Sequence, residues 1–501
     1  MRSFRLILQL LALGITQVLG VPLTPRDADA YPTVTLDYGT YQGVTSGSVT
    51  SYLGMNYAQP PVGNLRFAAP QEPEPFTGVA DATSYGAACP QQDIVLPDLL
   101  PKNVTITSAS GLISEDCLNL NVIKPANVSA GDSLPVLFWI FGGAFEIGDA
   151  STYDGSLYVE RSIALGQPII FVALNYRVNA FGFIASQEIL DANATNLGLR
   201  DQRLALQWVN KYISQFGGDP EKVTIWGESA GAFSVAAHLV WNEGDTGGLF
   251  RAAVMQSGPP ISLRTVAEGQ QYYDQLVENT GCSGEDDTLA CLRSVPYLEL
   301  QAAIALSPTF FSYQSLTLAW EPRIDGQVVL RNGMKYIQEG LYAKVPVIIG
   351  DCYDEGTLFS FGNVNVTTDD GFLEYVHSNY IPVASDSQIE ALGEAYPSDL
   401  SEIPYLGAAH ATDILEFFGS IDYIAPDALI FFTNNLNPNA PADLESGLSK
   451  LSDITWDQWG SDISAPPLLT FVDPAPEVEI TADTFRADAI SLLNELMLLF
   501  P

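Results

Sequence analysis

Short runs of almost wholly apolar residues recur along this chain: LPVLFWIFG (134–142), PIIFVALNY (168–176), KVTIWGES (222–229), VPVIIGD (345–351) and LLTFVD (468–473). They have the length and β-branched content of buried strands. Strands that are apolar at successive positions, rather than alternating, are expected where helices cover both faces of a parallel sheet. Between the runs, apolar residues return at helical spacing. In LRDQRLALQWVNKYISQF (199–216), Leu206, Val209, Ile213 and Phe216 fall on one stripe. Strand and helix alternate, so the pattern predicts the α/β class, with a central, mostly parallel sheet flanked by helices.

The two ends of the apolar scale add location and solubility. MRSFRLILQLLALGITQVLG (1–20) pairs Arg2 and Arg5 with an apolar run from Leu6 to Leu13 and then small residues, the pattern of a signal peptide cut near Gly20. The apolar core is too short for a membrane anchor, and no later run is long enough to span. The expectation is a secreted, extracellular protein. No repeat, low-complexity tract or flexible linker divides the rest, so residues 21–501 read as a single domain. The chain carries 59 acidic and 21 basic residues, net −38. That field disfavours nucleic acid, anionic membranes and anionic substrates, and it also serves solubility.

Five cysteines suit an oxidising compartment. Cys282 and Cys291 enclose SGEDDTLA, the spacing of a local loop closure. Cys89 and Cys117 enclose a longer mixed segment, and Cys352 is left over as a buried free thiol. Sequons at Asn103, Asn127, Asn193 and Asn365 are glycosylation candidates.

The chemistry centres on Gly227-Glu228-Ser229-Ala230-Gly231, where the third apolar run meets the helical AFSVAAHLVW. G-x-S-x-G at a strand-to-helix turn exposes a serine hydroxyl above the sheet. The pentapeptide is weak evidence alone; with its flanks it marks Ser229 as a nucleophile that needs a base. In this arrangement the chain order is serine, acid, histidine. His238 precedes any such acid and reads as structural. His377 lies in a helical pattern, whereas His410 follows a turn-like LGAA and order and placement favour it. Asp351, Asp354 and Glu355 all follow the fourth run, and chemistry does not choose among them. Gly142-Gly143-Ala144 lets main chain approach a ligand, and the N–H of Ala230 lies directly after the nucleophile.

These segments together resemble the type-B carboxylesterase/lipase family, in its secreted fungal lipase-like branch. The resemblance is carried by FGGDPEKVTIWGESAG (216–231), EDCLNLNV (115–122), YLGMNYAQPPVGNLRF (52–67), NYRVNAFGF (175–183) and MQSGP (255–259). It implies the α/β-hydrolase fold and a serine carboxylic-ester hydrolase with no metal and no cofactor. It implies Ser229 as nucleophile, Glu355 of DEGT as acid, and His410 as base. It also implies Gly143, Ala144 and Ala230 as the oxyanion hole, Ser257 as a hydrogen-bond partner behind the triad, and disulfides Cys89–Cys117 and Cys282–Cys291.

Two departures from the family pattern matter. Ala144 stands where a third glycine is usual, and its Cβ narrows the site. The segment YPSD runs through Asp399-Leu400-Ser401-Glu402-Ile403-Pro404 almost directly into LGAAHATD, where relatives carry a further stretch worth several helices. The helical subregion is therefore expected to be shortened between residues 399 and 406, or coding residues are missing there. The expected substrates are neutral, apolar small-molecule or lipid esters. The Cys89–Cys117 loop, with Ile94, Val95, Leu96, Leu99 and Leu100, is a candidate lid that contacts a lipid interface, the alternative being a fixed cover over an esterase gorge. No Trp lies in that loop to bind a quaternary ammonium. A catalytically inactive binding protein on the same scaffold is the competing function class, if the shortening displaces His410.

Overall fold

The computed structural model describes residues 31–95, 105–106, 109, 111–259, 263–397, 408–418, 423–460, 464–472 and 477–500. The expected signal segment and the 399–404 junction lie outside them, as do Leu96, Leu99, Leu100 and Asn103.

An eight-stranded sheet runs through the chain. Its strands are β1 (Val44–Ser46), β2 (Val49–Asn56), β3 (Asn119–Pro125), β4 (Leu134–Ile140), β5 (Ile170–Leu174), β6 (Gly218–Glu228), β7 (Ala252–Gln256) and β8 (Val347–Gly350). They are ordered β8-β7-β6-β4-β5-β3-β2-β1. From β5 to β8 every pairing is parallel, and from β5 to β1 every pairing is antiparallel. β5 is buried at every position and β6 throughout Val223–Glu228, which is why their sequences read as unbroken apolar runs. β1, β2, β3 and β7 were not among the predicted strands. The first three alternate or carry polar residues, as antiparallel strands do, and β7 is only five residues long.

Helices α1 (Ser156–Ala164), α2 (Leu197–Tyr212), α3 (Ala230–Val240) and α4 (Ile424–Asn435) pack on this sheet. β6 shows which side each takes. Trp226 meets Tyr158 of α1 edge to face at 5.4 Å. The next residue, Gly227, abuts Gly231 of α3 so closely that an added Cβ would stand 2.4 Å from the Gly231 carbonyl carbon. Successive strand residues point to opposite faces, so α1 and α3 cover opposite sides of β6. The predicted stripe of Leu206, Val209, Ile213 and Phe216 is buried, with a short 3₁₀ turn, Ile213–Phe216, continuing α2.

One expectation fails. LLTFVD (468–473) is not a buried parallel strand of the main sheet. Pro467–Val472 pairs antiparallel with Glu477–Ala482 in a separate two-stranded hairpin. The partner EVEITA alternates polar and apolar and follows after four residues in the sequence, so the local pairing closes at little entropic cost, and no residue of Pro467–Val472 is fully buried. β8 is consequently an edge strand, and its Val347 and Ile349 are 42% and 49% exposed.

One hydrophobic core spans the sheet and its helices. A smaller cluster of Ile381, Ile389, Leu392, Leu496 and Phe500 joins helices Asp369–Asn379, Asp386–Ala395 and Ala487–Met497. Both disulfides, Cys89–Cys117 and Cys282–Cys291, are formed, and Cys352 is a buried free thiol.

Candidate active site

β6 turns into α3 at Ser229, whose backbone holds φ +54° and ψ −124°. A non-glycine residue in that region is strained. Two hydrogen bonds hold it there: Ser229 N–H donates to the Gln256 carbonyl at 2.8 Å, and its carbonyl accepts from Phe233 N–H at 2.9 Å. The hydroxyl is thereby fixed at the C-terminal ends of the parallel strands. β4 ends beside it, because Gly227 is in register with Ile140. The two segments touch: a Cβ on Gly142 would lie 2.9 Å from Ser229 Cβ and 2.6 Å from the Glu228 carbonyl oxygen. Gly143, Ala144 and Phe145 then follow with φ of +112°, +55° and +57°, turning the main chain around the serine. Ala230 opens α3 on the other side.

His410 completes a chain of contacts. Its Nε2 lies 2.7 Å from Ser229 Oγ and its Nδ1 lies 2.5 Å from Glu355 Oε2. The three acid candidates separate cleanly. Asp351 is exposed. Asp354 acts on the backbone instead, accepting from Ala408 N–H at 3.0 Å while its own N–H donates to the Ala408 carbonyl at 3.0 Å. That clamp holds the segment before His410. Glu355 alone meets the imidazole, and its Oε1 accepts from Cys352 N–H at 2.7 Å. Phe359 covers the imidazole with ring centroids 4.9 Å apart.

The other histidines are placed elsewhere. His238 is buried on α3, with Nε2 3.1 Å from Gln202 Oε1, and His377 Nε2 lies 3.0 Å from the Ala384 carbonyl.

Electrostatics separates the carboxyl groups. Burial opposes ionisation of Glu355, but the hydrogen bonds from His410 and Cys352 N–H, with the nearby Ser257 hydroxyl, outweigh it and hold its pKa below the ordinary value. Ser257 is itself buried, and its hydroxyl makes no hydrogen bond of good geometry. Glu228 shows the reverse. Its Oε1 lies 3.5 Å from His410 Nε2, and burial, then Asp413 and Glu355, push its pKa well up. Asp413 is also raised by burial, although its Oδ2 accepts from Gln256 Nε2 at 2.8 Å. Glu355 is thus the carboxylate that stays charged beside His410. Glu228, Asp413 and Gln256 escaped the sequence reading. Glu228 alone had a visible signal, a charge inside an otherwise buried strand end.

An apolar groove, open to solvent, runs between α3 and the 322–333 segment. Phe145, Phe233, Val240, Leu263, Val328 and Val329 line it. Within the Cys89–Cys117 loop, Ile94 is buried, while Val95 and Leu112 are each 74% exposed. Asn127, Asn193 and Asn365 are exposed. Among the described residues no group of three or more His, Cys, Asp or Glu is arranged to hold a metal ion.

Residues 30–395 match the carboxylesterase family, a span that ends before His410. Lipase 5 of Diutina rugosa is 44% identical over 392 residues, covering 74% of this chain and 71% of that protein. A secreted triacylglycerol lipase of Gibberella zeae is 42% identical over 410 residues, covering 79% and 69%. The crystal structure of Aspergillus niger EstA superposes with a TM-score of 0.80 at 29% identity, over 95% of this chain and all of that one. With this fold, this elbow and these relatives, the chain belongs to the carboxylesterase family and is a serine carboxylic-ester hydrolase.

Proposed function

We propose that the protein is a secreted hydrolase of neutral, apolar esters that works through Ser229, His410 and Glu355. The observation that carries this is the continuous contact from Ser229 Oγ through the two nitrogens of His410 to Glu355. With Nδ1–H donating to Glu355, Nε2 is free to take the serine proton as Oγ attacks the ester carbonyl. Gly143, Ala144 and Ala230 offer the N–H groups that meet the oxyanion. The imidazolium returns its proton to the departing alcohol, and a water deprotonated by His410 then releases the acid from the acyl-serine.

The groove between Phe145, Phe233 and Val329 supports an apolar acyl chain, since Arg331 is the one charged side chain on its otherwise apolar lining. The acidic surface supports the same substrate class, because it repels anionic esters and favours expulsion of the carboxylate product. Secretion is supported by the 1–20 pattern, by two disulfides and by relatives that are secreted lipases. Exposed Val95 and Leu112 support a lipid-contacting lid on the Cys89–Cys117 loop.

Incubation with an organophosphate followed by peptide mapping tests the reaction: the label belongs on Ser229, and an unlabelled, folded sample rejects the proposal. Rates on emulsified long-chain and soluble short-chain esters test the lid. A jump above the solubility limit marks a lipase, and smooth saturation an esterase.

A further inference from the structure

The 142–148 loop carries an acid that the reaction above does not use. Glu146 lies two residues past Ala144 and is fully buried. Its backbone is tied on both sides: its N–H donates to the Gly143 carbonyl at 3.0 Å, and its carbonyl accepts from Gln92 N–H at 2.9 Å. Gln91 grips the end of the loop, accepting from Gly148 N–H at 2.7 Å and donating to its carbonyl at 3.1 Å.

The side chain is far less well served. Glu146 Oε2 accepts from Phe310 N–H at 3.1 Å, while Oε1 is buried with no hydrogen-bond partner. Gln91, Gln92 and the 307–311 segment (SPTFF) contribute no charge. Among the described residues, the titratable group that bears on it is Glu321, a second buried carboxyl, which stands 3.2 Å from Arg323. A carboxylate with a single N–H donor, one bare oxygen and a carboxyl neighbour is costly to bury, whereas the neutral acid is far less so.

We infer that Glu146 is held as a neutral carboxylic acid and is a positioning residue for the 142–148 loop. In its neutral form it keeps the Gly143 and Ala144 N–H groups on the oxyanion, and its ionisation withdraws them. Burial, relieved in part by the Phe310 N–H and reinforced by Glu321, pushes this carboxyl up to about 8, so the transition falls within ordinary assay conditions. The inference rests on the ester-hydrolase reading and on those N–H groups serving the oxyanion.

The test is the pH dependence of kcat on a soluble short-chain ester. Ionisation of a single group there lowers the wild-type rate about tenfold between about pH 7 and pH 9. Glu146→Gln keeps the size and neutrality of the acid, so its ratio of rates at those two pH values stays near one. Glu321→Gln removes the neighbouring carboxyl and moves the decline to lower pH. An alkaline limb that is the same in wild type and Glu146→Gln overturns the inference. Should that variant fail to fold, an unmoved limb in Glu321→Gln overturns it equally. Wild-type protein that neither turns over esters nor labels at Ser229 removes the hydrolase reading, and this inference with it.

Discussion

His410 Nε2 stands 2.7 Å from Ser229 Oγ although the two residues are 181 positions apart. They belong to different parts of the chain: Ser229 to the strained end of β6, His410 to a turn pinned by the backbone clamp between Asp354 and Ala408. Ser229→Ala and His410→Ala should each lower kcat by about 10⁶, and the double variant hardly further, because the proposed triad acts as one unit. Burst kinetics on an activated ester measures this. Additive losses would show that the two side chains do not cooperate.

Ala144 sits at φ +55° and is nearly buried, two residues past Gly142, which abuts Ser229. Ala144→Gly removes a strained Cβ and widens the alcohol side of the site. The ratio of turnover on tertiary-alcohol to primary-alcohol esters should rise about tenfold, the value of one methyl-sized clash. An unchanged ratio would place the steric limit elsewhere.

His238 gives the protein an acid-sensitive core. Burial, with Arg203 nearby, pushes its pKa from 6.5 down to about 3. Below pH 6.5 the unfolded chain takes up a proton that the folded chain refuses. Stability from this group therefore falls as pH drops toward 3, by about 1.4 kcal/mol per pH unit. Urea unfolding across that range should show a shallower slope in His238→Gln than in wild type. Parallel slopes would mean that His238 does not control it.

The Cys89–Cys117 bridge closes a loop with a sequence separation of 28 and ties the Gln91–Gln92 segment to β3. Replacing both cysteines by serine should cost about 3–4 kcal/mol of unfolding free energy through the freed loop entropy alone. Guanidinium denaturation reads that cost, and a loss well under 1 kcal/mol would indicate residual loop order in the unfolded chain.

Much of the central sheet was legible because buried parallel strands have no wet face, so β4, β5 and β6 show as unbroken apolar runs; β8 reads the same way although it lies exposed at the sheet edge. LLTFVD has the same composition and went elsewhere, since strand composition carries no information about partners. At the site, G-x-S-x-G between strand and helix pointed to Ser229 from local pattern alone. The acid was different: Asp351, Asp354 and Glu355 share one loop and one chemistry, and only side-chain direction separates them.

Sequence by itself determined the α/β alternation, the family and the serine at the elbow, because each is a matter of local periodicity, glycine placement and contiguous motif. Tertiary structure decided which carboxyl meets His410, which histidines face away, and that Glu228 and Glu146 are buried and Asp413 half-buried, each with its pKa pushed up. A carboxyl group's charge state depends on the solvent and partners it loses on folding. Those partners come from distant segments, and no local pattern records them.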